Sequence, residues 1–121
     1  MKSLSRCILA ATALTIGVSA TGNEGPQREF DVTASRFHFE PASLEVTEGD
    51  RVALTVRSAD GTHGIAIPEF KVKATIPKGG TPVTVEFVAA KAGTYRIECS
   101  EYCGSGHRQM KGRLVVAARA R

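Results

Sequence analysis

Apolar side chains occupy every second position in seven short runs of the sequence between residues 30 and 116. The runs lie at 30–34, 44–46, 52–56, 65–67, 83–87, 95–99 and 114–116. A period of two is that of a β-strand, because successive side chains of a strand point to opposite faces of the sheet. Turns containing Gly or Pro separate several of the runs, and no helical period is sustained between them. The sequence therefore predicts an all-β fold, either an antiparallel sandwich or a Greek-key barrel.

The length of the chain limits this architecture to one domain. With 121 residues, a second unit would lack the apolar area that independent folding requires. The formal net charge is +4, but Lys2 and Arg6 near the N-terminus account for half of it. Nucleic-acid binders concentrate basic residues on one face, whereas acidic residues are spread along this chain. The charge therefore indicates no nucleic-acid partner.

The N-terminal residues have the pattern of an export signal. Residues 1–20 contain two basic residues, then an apolar stretch, then small residues at the expected cleavage position. The apolar stretch is about half of the ~20 residues that span a bilayer as a helix. We therefore expect a cleaved signal peptide, a periplasmic or otherwise exported protein and no transmembrane segment after cleavage. Residues 21–29 predict a flexible leader, 30–117 the folded domain, and 118–121 a basic C-terminal tail.

Export leaves two cysteines, because the third lies in the signal segment. Cys99 and Cys103 are four residues apart, which in an oxidising compartment indicates either a disulfide or a metal site. Both belong to a loop between two predicted strands, and the same loop carries His107 and Met110. Two glycines in this loop let its backbone bend back on itself. Such a bend would bring the four side chains around a common centre.

The side chains of this loop are the ligand types that copper prefers. Thiolate and thioether are soft ligands, and they are combined with imidazole in copper electron-transfer sites. Zinc seldom uses Met, and a structural disulfide needs no additional ligands. His63 lies at a turn just after a predicted strand, where it can supply a further imidazole. We expect Ile65, Ile67 and Pro68 beside it to form an apolar wall around the site.

The segment Cys-Ser-Glu-Tyr-Cys-Gly-Ser-Gly-His-Arg-Gln-Met, residues 99–110, together with His63, closely resembles the binuclear purple-copper (CuA) centre of a known family. This centre belongs to the cupredoxin domain of cytochrome c oxidase subunit II and of nitrous-oxide reductase. The spacing Cys-x3-Cys-x3-His-x2-Met matches without a gap, and the resemblance covers about residues 30–116. It implies a cupredoxin-like Greek-key β-sandwich that transfers single electrons and is not itself an enzyme.

The resemblance also implies two copper ions per chain, held by six residues: His63, Cys99, Glu101, Cys103, His107 and Met110. The two cysteines would bridge the ions, and each histidine would bind one of them. The methionine sulfur and the backbone carbonyl of the glutamate would be weak ligands, one to each ion. The implied partners are a copper-delivery protein and a redox protein such as a c-type cytochrome or an oxidase or reductase subunit.

Two other functions remain open at this point. A mononuclear blue-copper carrier would use His63, Cys103, His107 and Met110, with Cys99 incidental. A copper-delivery or thiol-redox protein for oxidase assembly would also use a Cys-x3-Cys motif with a distal histidine, although such proteins have a thioredoxin-like fold with alternating helices. The sequence contains neither a Ser-His-Asp arrangement nor a carboxylate pair, which makes an enzyme the least favoured class.

Overall fold

The structure is a computed structural model that describes Gly17 and residues 25–120. The predicted signal peptide, 1–20, lies outside the described residues except for Gly17, as do residues 21–24 of the predicted leader and residue 121 of the predicted tail. Within the described residues, no helix is long and apolar enough to cross a membrane.

Nine strands and two single-turn 3-10 helices make up the described part of the chain. In chain order they are β1 (Gln27–Ser35), β2 (His38–Glu40), β3 (Ser43–Thr47), β4 (Arg51–Ser58), β5 (His63–Ile67), a 3-10 helix (Pro68–Phe70), β6 (Val72–Ile76), β7 (Val83–Val88), β8 (Gly93–Glu98), a second 3-10 helix (His107–Gln109) and β9 (Lys111–Ala117). The strands form a four-stranded sheet, β2-β1-β4-β7, and a five-stranded sheet, β3-β9-β8-β5-β6. The predicted all-β sandwich is confirmed.

The antiparallel expectation is wrong for two strand pairs. β1 pairs in parallel with β4, and β3 pairs in parallel with β9. Between β1 and β4 the chain places β3 in the other sheet and then returns, so that β4 runs in the same direction as β1. Hairpins alone would have produced only antiparallel neighbours.

The strand boundaries also differ from the sequence expectation. β1 begins at Gln27, inside the predicted leader of 21–29, because its backbone pairs with β4 from Gln27 opposite Arg51 onward. Backbone pairing needs no apolar side chain, so an alternation pattern cannot detect the first residues of this strand. β6 was missed altogether, although Val72 and Ile76, at its two ends, are buried and lie on one face.

The core lies between the two sheets and consists of the inward-facing side chains of both. Val32 and Ala34 of β1 and Leu54 and Val56 of β4 are buried on one side, and Leu114 of β9 is buried on the other. Each buried Val, Ile or Leu contributes about 1.5–3 kcal/mol of transfer free energy. The same buried cluster includes the sulfur-bearing residues of the loop between β8 and β9. These residues are therefore continuous with the hydrophobic core.

Candidate metal centre

The loop between β8 and β9 is closed at its base by the backbone. Cys99 directly follows β8 and Met110 directly precedes β9, and the Cys99 N–H donates to the Met110 carbonyl at 3.3 Å. Within the loop, His107 begins the second 3-10 helix. The predicted position of the loop between two strands is confirmed, and its two ends are fixed by paired strands.

The sulfur atoms of this loop are in mutual contact. The Sγ atoms of Cys99 and Cys103 are 3.4 Å apart. A disulfide bond would be ~2.05 Å long, and both cysteines are free thiols in this structure. The Cys103 Sγ also lies 3.7 Å from Met110 Sδ and 3.7 Å from His107 Nδ1. Cys103 is thus the side chain that links the ligands of the loop to one another.

His63 joins this group from β5, the strand next to β8 in the five-stranded sheet. It is the first residue of β5 and is fully buried. One ligand atom from each of His63, Cys99 and Cys103 lies within 4.8 Å of the other two. Its Nε2 contacts Asp60 Oδ1 at 2.5 Å, whereas its buried Nδ1 has no hydrogen-bond partner. A buried imidazole nitrogen without a partner is costly unless something binds it.

Asp60 holds His63 in this orientation. Its carboxylate also accepts hydrogen bonds from the backbone N–H of Arg36 at 2.8 Å and of Gly61 at 2.7 Å. Burial alone would raise the pKa of Asp60, but these hydrogen bonds and His63 outweigh it and lower the pKa to about 2. Asp60 is therefore ionised at neutral pH, and a carboxylate at Nε2 fixes the ring so that Nδ1 is available to a ligand.

The backbone of Glu101 reaches the centre because β5 approaches it closely at Gly64. The Glu101 carbonyl accepts a hydrogen bond from the Cys99 thiol at 3.1 Å, while its carboxylate accepts one from the Thr75 hydroxyl at 3.1 Å. A Cβ atom on Gly64 would lie 2.7 Å from the Glu101 backbone nitrogen. Only glycine permits this approach without a shift of the backbone.

Arg36 and Phe37, the two residues that directly precede β2, contact the loops of the candidate site. The Arg36 Nε donates to the Cys103 carbonyl at 3.2 Å. The Phe37 ring packs on Gly104, where φ is +135° and a Cβ atom would lie 2.9 Å from the ring. This contact leaves no room for a larger residue at that turn.

The donor set fits copper. Burial raises the pKa of Cys103 to about 11, and the adjacent Cys99 thiol contributes further to this rise. The Cys103 thiol is therefore costly to ionise, and binding of a cation that holds it as a thiolate would displace its proton. Thiolate, thioether and imidazole together form the ligand set of copper electron-transfer sites. The unpartnered Nδ1 of His63 supplies a further free donor at the same place.

Of the six sequence-predicted ligands, His63, Cys99 and Cys103 have ligand atoms within 4.8 Å of one another. The other three are linked to this group through one cysteine each: the Glu101 carbonyl through Cys99, and His107 and Met110 through Cys103. Of the expected apolar wall, Ile65 and Ile67 are fully buried, but Pro68 is exposed, since it begins a surface 3-10 helix. Sequence reasoning missed Asp60. Its position three residues before His63 was a usable signal, because a metal-bound histidine commonly donates its other nitrogen to a carboxylate.

Comparison with known proteins agrees with this fold and site. The family described as "Cupredoxin-like domain" matches residues 7–116, so the chain belongs to the cupredoxin-like domain family. Over 85 residues, 70% of this chain, it is 33% identical to cytochrome c oxidase subunit 2 of Thermus thermophilus. Over 91 residues, 72% of the chain, it is 31% identical to nitrous-oxide reductase of Cupriavidus necator.

The relatives are longer proteins than this one. The chain spans 62% of the Thermus protein and 14% of the reductase. Among solved structures, the periplasmic domain of subunit II of cytochrome oxidase from Bradyrhizobium japonicum superposes with a TM-score of 0.67. That match has 22% sequence identity and covers 74% of this chain and 83% of the other, and it shows the shared fold. The predicted similarity to cytochrome c oxidase subunit II and nitrous-oxide reductase is confirmed.

Proposed function

We propose that this protein is an exported electron-transfer protein with a binuclear copper centre. The observation that carries the proposal is the arrangement of His63, Cys99 and Cys103. Their ligand atoms lie within 4.8 Å of one another, and the two thiol sulfurs are in contact without forming a disulfide. Two thiols at one buried point suit a pair of bridged ions better than a single ion, because one copper site of this type needs one thiolate.

The proposed roles of the ligands follow their positions. Cys99 and Cys103 would hold both ions through their thiolates, and the two histidines, on opposite sides of the thiol pair in the sequence, would each hold one ion. The Met110 sulfur lies beside Cys103, and the Glu101 carbonyl lies beside Cys99, which supports one weak ligand for each ion. When bound, the copper pair supplies a one-electron redox couple.

The protein fixes the positions of the proposed ligands and excludes water from them. Cys99, Cys103, Met110 and His63 are buried, and strand pairing fixes both ends of the loop that carries the first three. Rigid ligands reduce the rearrangement that accompanies a change of oxidation state. Electron transfer requires no substrate chemistry from the chain. We therefore propose an electron carrier and not an enzyme.

The proposed partners are a redox protein, such as a c-type cytochrome or an oxidase or reductase subunit, and a copper-delivery protein. The end of the sandwich that carries the centre exposes Tyr102, which is 77% accessible, and its ring centroid lies 5.8 Å from that of His107. An exposed aromatic ring beside a ligand suits a short-lived protein contact. Export to the periplasm accords with the signal pattern of residues 1–20.

The second candidate is a mononuclear blue-copper centre. The observation in its favour is that Cys103 alone contacts both His107 and Met110, each at 3.7 Å. Together with His63 these residues complete a one-thiolate set. Cys99 would then serve as a buried side chain with no metal contact.

Replacement of Cys99 by Ser separates the two candidates. The binuclear proposal predicts two copper ions per wild-type chain and at most one in Cys99→Ser, with loss of the mixed-valence electron paramagnetic resonance spectrum. Cys103→Ser is the matched variant, and it should abolish the coloured centre in both cases. A Cys99→Ser protein that retains the wild-type copper content and spectrum contradicts the binuclear proposal. Thermal unfolding of the copper-free forms shows that each variant is folded.

A further inference from the structure

Arg36 contacts two loops of the candidate site, although it belongs to neither. We call them the histidine loop, residues 59–62 directly before His63, and the cysteine loop, residues 99–110 between β8 and β9. It lies between β1 and β2. Its backbone N–H donates to Asp60 Oδ2 at 2.8 Å, and Asp60 in turn binds His63. Its side-chain Nε donates to the carbonyl of Cys103 at 3.2 Å. One residue thus contacts the histidine loop through its backbone and the cysteine loop through its side chain.

The guanidinium occupies a space that Gly61 leaves open and lies within ordinary contact distance of Gly104. A Cβ atom on Gly61 would lie 2.9 Å from Arg36 Nη2, and a Cβ atom on Gly104 would lie 4.0 Å from Nε. Gly61 belongs to the histidine loop and Gly104 follows Cys103 directly. The charged group therefore lies between the two loops, and the adjacent Phe37 ring packs on Gly104 from the same segment.

The hydrogen bond from Nε acts on the backbone of a proposed bridging ligand. A guanidinium that donates to the Cys103 carbonyl restricts the rotation of that peptide and with it the direction of the thiolate. The same group is a permanent positive charge close to the thiolate pair. A positive charge favours the state of a metal site that holds the extra electron.

We propose that Arg36 is a positioning residue of the copper centre, which fixes Cys103 relative to His63 and raises the reduction potential by its charge. This inference rests on the proposed function only in requiring copper at the site, and it holds for one ion or two. It predicts two separable effects, one on the geometry of the centre and one on its potential.

The test compares copper-loaded Arg36→Gln, Arg36→Lys and Arg57→Gln with the wild type. Arg57 lies on β4 and is exposed, so its replacement makes the same charge change on the surface. Arg36→Gln should shift the equilibrium with a redox mediator about three- to tenfold toward the oxidised form, because one nearby positive charge is lost. It should also change the copper hyperfine splitting. Arg36→Lys should restore most of the potential but keep the altered splitting, since Lys lacks the planar donor of Arg.

The Arg57→Gln control should stay within about twofold of the wild type, because within the described residues the exposed Arg57 side chain is not hydrogen-bonded to the loops of the site and its charge is screened by solvent and salt. Arg36→Gln that matches Arg57→Gln in both potential and hyperfine splitting overturns the proposal. Gly61→Ala provides a second test, because its methyl group displaces the guanidinium while the charge remains. It should reproduce the altered splitting, and a wild-type spectrum counts against the positioning role.

The copper content of the wild type keeps this test independent of the proposed function. If the wild type binds a single ion with a mononuclear spectrum, the binuclear proposal fails. The comparison of Arg36→Gln with Arg57→Gln then still decides the role of Arg36, because both variants retain every proposed ligand.

Discussion

Strand β4 is flanked by two aspartates that the protein uses in different ways. Asp50 directly precedes the strand, and Asp60 follows its end by two residues. Eight strand residues at about 3.3 Å each place the two ends ~26 Å apart. Both carboxyl groups have a pKa below the ordinary value of 3.8, despite the opposing effect of burial. The partners of the two groups account for the difference in their roles.

The partners of Asp50 satisfy both of its carboxylate oxygens. Oδ2 accepts from the Thr47 backbone N–H at 2.8 Å and from Arg28 at 3.4 Å, and Oδ1 accepts from Arg119 at 2.6 Å. Arg119 also donates to the Glu48 carbonyl at 2.8 Å. This cluster joins the start of β1, the turn before β4 and the chain after β9. It is closed, and we interpret it as structural.

The partners of Asp60 leave one atom of the site free. Asp60 is ionised and bound to Nε2 of His63, but the buried Nδ1 of the same ring has no partner. A fully buried carboxylate therefore closes an ion-pair cluster at one end of β4, whereas a partly exposed carboxylate orients a free donor at the other. Because both carboxyl groups have a lowered pKa, it is the unsatisfied buried atom of His63 that distinguishes the candidate binding site from the structural cluster.

The first prediction, with the largest effect, is that the Asp50 end of β4 stabilises the folded protein. Asp50→Asn removes the negative charge from two arginines and leaves one amide group to replace a carboxylate acceptor. We expect the free energy of unfolding of the copper-free protein to fall by about 2–4 kcal/mol, because a fully buried carboxylate that accepts three hydrogen bonds loses its charge. Urea unfolding followed by circular dichroism measures it.

The copper affinity of Asp50→Asn should stay within about twofold of the wild type, because the cluster contacts none of the proposed ligands. A large loss of affinity in a folded Asp50→Asn protein would show that the two ends are coupled. The division between a structural end and a binding end would then be wrong.

The second prediction is that the Asp60 end of β4 contributes to copper affinity. Asp60→Asn keeps the size of the side chain but removes the charge that fixes the His63 ring. We expect copper affinity to fall about 10- to 100-fold, which is the usual consequence of losing the group that orients a metal-binding histidine. Competition with a copper chelator measures the affinity. Equal affinities for Asp60→Asn and the wild type would remove Asp60 from the site.

The smallest effect concerns acid stability at the Asp50 end. Because the folded pKa of Asp50 is lowered, its contribution to stability is complete above its unfolded value of 3.8 and is lost as the pH falls through the folded pKa. The stability difference between the wild type and Asp50→Asn should therefore shrink as the pH is lowered from about 5 to about 2. Unfolding midpoints at a series of pH values measure it, and a constant difference would contradict it.

The sequence predicted the fold class, because the alternation of apolar side chains marks most of the strands. The spacing of Cys99, Cys103, His107 and Met110 is continuous in one loop, so these four residues were candidates from their types alone. His63 follows a predicted strand at a turn, and the resemblance to a known family gave it its role and added Glu101.

The sequence could not predict the parallel pairs or the contacts between loops. Parallel pairing of β1 with β4 depends on where the chain crosses between sheets, which alternation does not encode. Arg36 contacts Cys103 across 67 positions of sequence, and an exposed arginine between two strands has no local feature that would mark it. Long-range contacts of this kind come from the packing of the whole sandwich.

The central claim is that two copper ions share one electron at this site. The most direct measurement is the electron paramagnetic resonance spectrum of the copper-loaded full chain, recorded with the copper content of the same sample. We expect two ions per chain and an unpaired electron that couples equally to two copper nuclei. One ion per fully loaded chain, with coupling to a single nucleus, would contradict it.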